Sequence, residues 1–185
     1  SFSGMTIGGI GTEAFSGCGS LTSLNINDVA TIGSMGDAAF AWSGLRSTGL
    51  DKVVGLSSIP ENAYNACSAL TDTGLGGNTS ITSIGVNAFK NCSRLATTGL
   101  ENNTTIKTLR EGCFSGTNMS GGLTLPLYSK IEELPSRAFY GSKLETVYFG
   151  CDHVVLINST TFPKQNMTVM VPAKMVSQYA SGRPK

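Results

Sequence analysis

The chain has 185 residues, with 13 basic and 12 acidic side chains, one histidine and a net charge of +1. Near-neutrality excludes a basic nucleic-acid groove and an anionic-membrane anchor, and no apolar run approaches the ~18 residues that cross a bilayer. Five cysteines are an odd and sparse set, which excludes a disulfide-built scaffold and leaves at least one thiol without a partner in the chain.

No signal-like segment follows Ser1, and the expectation is a mature or trimmed chain of an exported protein. The "FSG" of Phe2–Gly4 echoes the "FSG" of Phe15–Gly17, which predicts that the chain starts partway through an earlier coil. The stretch "GIGTEAFSGCGSL" at Gly9–Leu21 then returns as "SIGVNAFKNCSRL" at Ser83–Leu95. The aromatic after "NA" anchors a repeat at Phe15, Phe40, Tyr64, Phe89, Phe114, Phe139 and Phe162, at intervals of 25, 24, 25, 25, 25 and 23 residues. Eight residues earlier stand Ile7, Ile32, Leu56, Ile81, Ile106, Ile131 and Val154; five earlier stand Ile10, Met35, Ile59, Ile84, Leu109, Leu134 and Ile157. Three residues after the anchor, Cys18, Cys67 and Cys92 share a column with Ser43, Thr117 and Ser142. A period of two dozen residues rich in Leu and Ile is the signature of leucine-rich repeats. Each unit is too small to bury its own apolar side and must be sealed by its neighbours.

The "GIGTEA" turn could pass for a dinucleotide-binding loop. Its counterparts "SIPENA" and "ELPSRA" place Pro60 and Pro135 where Gly11 stands, and a phosphate cradle needs bare backbone there. No cofactor is expected.

Within a coil, Ile84, Ala88, Cys92 and Leu95 step by helical intervals, which predicts about two helical turns. "LTSLNI" at Leu21–Ile26, "LETVYF" at Leu144–Phe149 and "TVMV" at Thr168–Val171 read as short strands. "LRSTGL", "LTDTGL" and "LATTGL" are the corresponding rungs, thinned by Gly49, Gly74 and Gly99. The fold class is an α/β solenoid: a right-handed leucine-rich repeat coil of about seven units, with parallel strands on the concave face and helical or 3-10 turns on the other. Residues 1–171 form the solenoid, and 172–185 form a capping helix and tail in which Met175, Val176 and Tyr179 cover the last rung.

The columns "IGTEAFSGCGSLTSLNI" and "IGVNAFKNCSRL" resemble the BspA-like leucine-rich repeat family of bacterial surface proteins over nearly the whole chain. The resemblance implies export to the cell surface or secretion. It also implies binding of a protein or glycoprotein, such as host matrix or another cell's surface, and no catalytic site. The "TGL" rungs depart from the family pattern. A monomer is expected.

Residues carrying chemistry are few. His153 beside Cys151 lacks the second ligand pair a metal needs. It also lacks a G-x-S-x-G nucleophile, and Asp51 and Glu132–Glu133 do not converge as a hydrolase pair. Cys67 and Cys92 lie in adjacent coils and could bridge, but Ser and Thr replace Cys elsewhere, which favours buried thiols as small packing groups. The Asn-x-Ser/Thr triplets at Asn78 and Asn103 arise easily in so Asn- and Thr-rich a chain and carry little weight. Partner contact is expected at the variable strand positions Ser23, Asn25, Ser47, Asp72, Thr97, Thr146 and Tyr148. The aromatics Trp42, Tyr128 and Tyr140 are further candidates, because aromatic side chains are the usual interface anchors. Two functions compete: a protein-interaction module, and a structural spacer of a larger surface protein whose binding lies elsewhere.

Overall fold

The computed structural model describes residues 6–24, 31–162 and 167–180. The chain winds through about six turns of a solenoid with parallel strands. The sequence reading of about seven coils counted anchors; seven anchors enclose six intervals.

Strand β1 is Thr6–Ile7, β2 Thr31–Ile32, β3 Ser58–Ile59, β4 Ser83–Ile84 and β5 Thr108–Leu109. Then follow β6 at Ser120–Leu125, β7 at Glu133–Leu134, β8 at Lys143–Phe149, β9 at Leu156–Ile157 and β10 at Thr168–Met170. All pairings are parallel. The short strands join as β1-β2, β3-β4-β5 and β7-β9, and the longer ones as β10-β8-β6. Register follows the repeat: Ile59 faces Ile84, which faces Leu109, and Leu134 faces Ile157.

The anchor aromatics form one continuous stack. Successive ring centroids from Phe15 to Phe162 lie 5.2, 5.3, 5.3, 5.3, 5.7 and 5.5 Å apart, with planes within 12° of parallel. Spacing above ring-contact distance means that the rings are offset, the arrangement their quadrupoles prefer. Phe40, Tyr64, Phe89, Phe114 and Phe139 are fully buried, whereas Phe15, at one end of the stack, is 37% exposed.

The segment expected to be helical is not a helix. In the coil of Phe89, Ala88, Lys90 and Cys92 donate to the carbonyls of Gly85, Asn87 and Phe89 three residues back. The alternate residues Asn87, Phe89 and Asn91 instead donate across to Glu111, Cys113 and Ser115 of the next coil, at 3.0, 2.8 and 2.7 Å. Half the N–H groups are therefore spent between coils, which a helix cannot allow. The zigzag requires a left-handed backbone two residues before and two after each anchor from Phe15 to Phe139. Asn87 and Asn91 have φ of 53° and 59°, and Gly112 and Gly116 have 63° and 70°. The helical spacing of apolar residues had a different origin: a string of turns that points every fourth side chain inward. Among the described residues the one α-helix is α1, Val176–Ala180, which follows a 3-10 turn at Ala173–Met175. There Met175 is buried, Val176 is half exposed, and the Tyr179 ring stacks on Phe149 at 5.6 Å.

The "TGL" rungs are not strands either. Thr48 Oγ1 donates to the Thr73 carbonyl at 2.6 Å, and Thr73 Oγ1 to the Thr98 carbonyl at 2.8 Å. Each threonine hydroxyl also accepts the N–H of the leucine two residues on, Leu50, Leu75 or Leu100. Gly49, Gly74 and Gly99 supply left-handed φ of 68°, 66° and 77°, turning the chain into 3-10 turns at Leu50–Lys52 and Leu100–Asn102. Only the bridge Ser47–Asp72 remains of the expected ladder there. Leu21–Leu24 is not strand, and the rest of "LTSLNI" lies outside the described residues. At β6 the sequence changes to "SGGLTL", and the rung extends into a true strand carrying one irregularity at Gly121/Gly122.

Candidate functional site

The described surface presents two long faces. The strand face follows one register line. Ser47 Oγ donates to Asp72 Oδ2 at 3.1 Å, and Asp72 Oδ1 accepts the Gly74 N–H at 3.0 Å, so this pair is held by its own turns. Thr97 comes next, exposed, on the wall of a cleft of about 250 Å³ that it shares with Glu101, Ser120, Gly122 and Thr124. The cleft lies between the "TGL" turn of one coil and β6 of the next. Beyond it, Gly122, Thr146 and Thr168 lie side by side, as do Thr124, Tyr148 and Met170. Tyr148 is 43% and Met170 50% exposed. Ser23 is exposed at the opposite end, and Asn25 lies outside the described residues.

The fold thus gathers Ser47, Asp72, Thr97, Thr146 and Tyr148 onto one face. It also adds Thr124 and Met170, which the sequence reading missed. The signal was present in the alignment of Thr146-Val147-Tyr148 with Thr168-Val169-Met170, which places Met170 beside Tyr148.

Trp42 and Tyr140 belong to a different face, built from the turns around the anchors. Its backbone is a ladder in which Trp42 donates to Asn65, Ala66 to Lys90, Asn91 to Ser115 and Gly116 to Tyr140, at 2.7–2.8 Å. Trp42 is 60% exposed and sits at φ 55°, in a column otherwise held by Gly, Ala and Asn. A bulky side chain in the left-handed region is an outlier of the kind that concentrates at functional surfaces. Tyr140 borders an open groove of about 790 Å³ running across the coils of Phe89, Phe114 and Phe139. Tyr128 is exposed in the turn after Pro126 and joins neither face's candidate residues.

Apart from the exposed Cys18, the chemically reactive groups are committed to structure. Cys67 Sγ donates to the Phe40 carbonyl at 3.0 Å and Cys92 Sγ to the Tyr64 carbonyl at 3.1 Å, and all five cysteines are free thiols. Burial pushes the thiols of Cys67, Cys92 and Cys113 up, Cys113 to about 12. His153 Nε2 lies 2.9 Å from the Ile131 carbonyl, and its Nδ1 lies 3.6 Å from Asp152. Among the described residues no three of His, Cys, Asp and Glu converge as a metal site requires, and no helix is long and apolar enough to cross a membrane. The amides of Asn78 and Asn103, in the two Asn-x-Ser/Thr triplets, are buried and each is fully hydrogen-bonded.

The family model of the BspA type leucine rich repeat region matches residues 3–120 and 36–168, in six copies. A crystal structure of a leucine-rich repeat protein from Bacteroides ovatus is similar, with 16% sequence identity and a TM-score of 0.46, covering 90% of this chain and 43% of that one. No curated protein matches the chain.

Proposed function

The chain belongs to the BspA-type leucine-rich repeat family, and on that premise we propose that it is a non-enzymatic protein-interaction module, secreted or displayed at the cell surface. Repeats of this kind suggest interaction rather than catalysis. The partner is a protein or glycoprotein, engaged through the strand face. The observation that carries this reading is the row Thr124–Tyr148–Met170, where a half-exposed aromatic ring and a thioether stand together on a three-stranded parallel sheet. Tyrosine and methionine are enriched in interface cores, and a sheet fixes their positions. Ser47, Asp72 and Thr97 extend the contact as a hydrogen-bonding rim.

The test is binding of the chain to an immobilised panel of matrix glycoproteins, read by surface plasmon resonance. Tyr148→Ala is expected to weaken a positive interaction by about thirtyfold, the scale of an interface hot spot. Trp42→Ala, on the other face, leaves it unchanged. A spacer role is favoured by one observation, the small and nearly uncharged side chains of the middle strand face. Absence of binding across the panel would support that reading instead.

A further inference from the structure

We propose that the groove on the turn face binds a linear, neutral oligosaccharide lying along the solenoid axis. The floor is rich in glycine. Gly112 and Gly116 of one coil and Gly141 of the next occupy left-handed positions, and the side-chain amide oxygens of Asn87 and Asn91 lie against Gly112 and Gly116. Along the walls stand Asn87, Lys90, Asn91, Glu111 and Arg137. None of these five side chains makes a hydrogen bond or ion pair with another of the described residues, although cations and a carboxylate line the same groove. The walls therefore offer donors and acceptors of both signs. Sugar hydroxyls donate and accept alike and can satisfy amide, guanidinium and carboxylate together, whereas a polyanion meets Glu111 and a polycation meets Lys90 and Arg137. Tyr140, 54% exposed at the groove's edge, supplies the ring on which the apolar face of a pyranose stacks.

The repeat distance separates this ligand from a peptide. The anchor rings beneath the groove are 5.3 and 5.7 Å apart, and the coils that line it follow at that step, each presenting different side chains. An extended peptide advances about 3.3 Å per residue and falls out of step, while a pyranose in a β-linked chain is about as long as one coil is thick. Nor can a peptide add as a strand. The N–H groups of Asn91 and Gly116 are already bonded to Ser115 and Tyr140 of the next coils, both at 2.7 Å.

The proposal is independent of the strand-face reading, and the experiment keeps the two apart. The chain is titrated by calorimetry with cellohexaose and chitohexaose, with a heparin hexasaccharide and an unstructured decapeptide as comparators. At least one neutral hexasaccharide is expected to bind at sub-millimolar concentration. Tyr140→Ala should weaken that binding by about tenfold or more, with Arg137→Ala also weakening it and Tyr148→Ala leaving it unchanged. Tyr140 is exposed, so its truncation leaves the aromatic stack intact, and an unchanged thermal melt verifies this. Failure of both neutral sugars at millimolar concentration, binding of heparin or peptide alone, or full binding by Tyr140→Ala would overturn the proposal.

Discussion

The side-chain amide of Asn103 donates to the backbone carbonyl of Asn78, one coil away, at 2.9 Å. The same amide nitrogen bonds the Leu75 carbonyl at 2.7 Å, and its oxygen accepts the N–H groups of Thr105 and Ile106 at 2.9 Å. Asn78 repeats the pattern one coil earlier, reaching Leu50 and Val53 and accepting from Ser80 and Ile81. Each asparagine thus satisfies four backbone groups in the interior. Removing one strands several of them without water, at 1–3 kcal/mol for a buried unmade bond. Asn103→Ala is expected to cost about 2–4 kcal/mol in urea unfolding, and a loss below about 1 kcal/mol would show that the ladder contributes little. The same bonds occupy the nitrogen that N-glycosylation would modify, so neither asparagine is modified in the folded chain.

Tyr64 is the one anchor that is not phenylalanine. Its ring is stacked at 5.3 Å on both Phe40 and Phe89, and its hydroxyl is buried with no protein hydrogen-bond partner. The stack fixes the ring, so the hydroxyl cannot tilt to find one, and the lost hydration is uncompensated. Tyr64→Phe is expected to stabilise the chain by about 1 kcal/mol, raising Tm by about 2–4 °C. A lowered Tm in differential scanning calorimetry would contradict it.

The cysteine column makes two measurable statements. Cys67, Cys92 and Cys113 are fully buried, whereas Cys18 is exposed. Native labelling with a maleimide is therefore expected to modify Cys18 alone among the five within minutes, with the rest reacting after urea. Alkali gives the second. Burial raises the folded-state value of Cys113 from 9.0 to about 12, and shifts Cys67 and Cys92 the same way. Between those limits the unfolded chain loses the proton and the folded chain keeps it. Stability is therefore complete below pH 9 and falls as pH rises, by up to about 1.4 kcal/mol per unit for each thiol. Urea midpoints should drop from pH 9 to 11, and Cys113→Ala should shallow the slope; a flat profile would rule out neutral, buried thiols.

Phe89 sits at the middle of the stack, between Tyr64 and Phe114 at 5.3 Å. Phe89→Ala is expected to cost about 3–5 kcal/mol. Because each coil is sealed only by its neighbours, the loss should appear first in the flanking coils. Hydrogen exchange would show faster opening around Tyr64 and Phe114 than around Phe149. Uniform loss of protection across the whole chain would argue for a single cooperative core.

The repeat itself was legible because burial is periodic: a ring at each anchor must meet rings above and below, so its spacing is written into the chain. Local conformation was less legible. Ile84, Ala88, Cys92 and Leu95 show helical spacing, but spacing reports only which side chains point inward. The left-handed residues that break the helix are Asn87 and Asn91 in one coil, Ala38 and Trp42 in another, and Gly112 and Gly116 in a third, and only the last pair advertises itself. The "TGL" rungs, expected to be thinned by their glycines, depart from a strand for a further reason. Thr48, Thr73 and Thr98 look like β-branched strand residues, yet their hydroxyls are caps for the turn that follows. The strand-face candidates came from register, which the repeat supplies. Trp42 and Tyr140 were found as aromatics; the sign that they share the turn face was their place just after the anchors Phe40 and Phe139.

Two glycines with nearly the same φ separate conformational strain from crowding. Gly74 has φ +66° and Gly121 φ +72°. A Cβ on Gly121 meets nothing within 4 Å, whereas one on Gly74 would lie 2.8 Å from Thr48 Oγ1 and 2.9 Å from the Leu50 nitrogen. The cost of an alanine in the left-handed region, about 1 kcal/mol, is common to both. At Gly74 the added carbon also pushes apart the Thr48 hydroxyl and the Leu50 N–H that it accepts, and the threonine ladder continues from there to Thr73. Gly121→Ala is therefore expected to cost about 1 kcal/mol and Gly74→Ala about 3 kcal/mol or more. Chemical unfolding of the two variants under one buffer compares them directly. Equal losses would mean that the coils shift freely past one another at this turn, and that the threonine ladder does not hold their spacing.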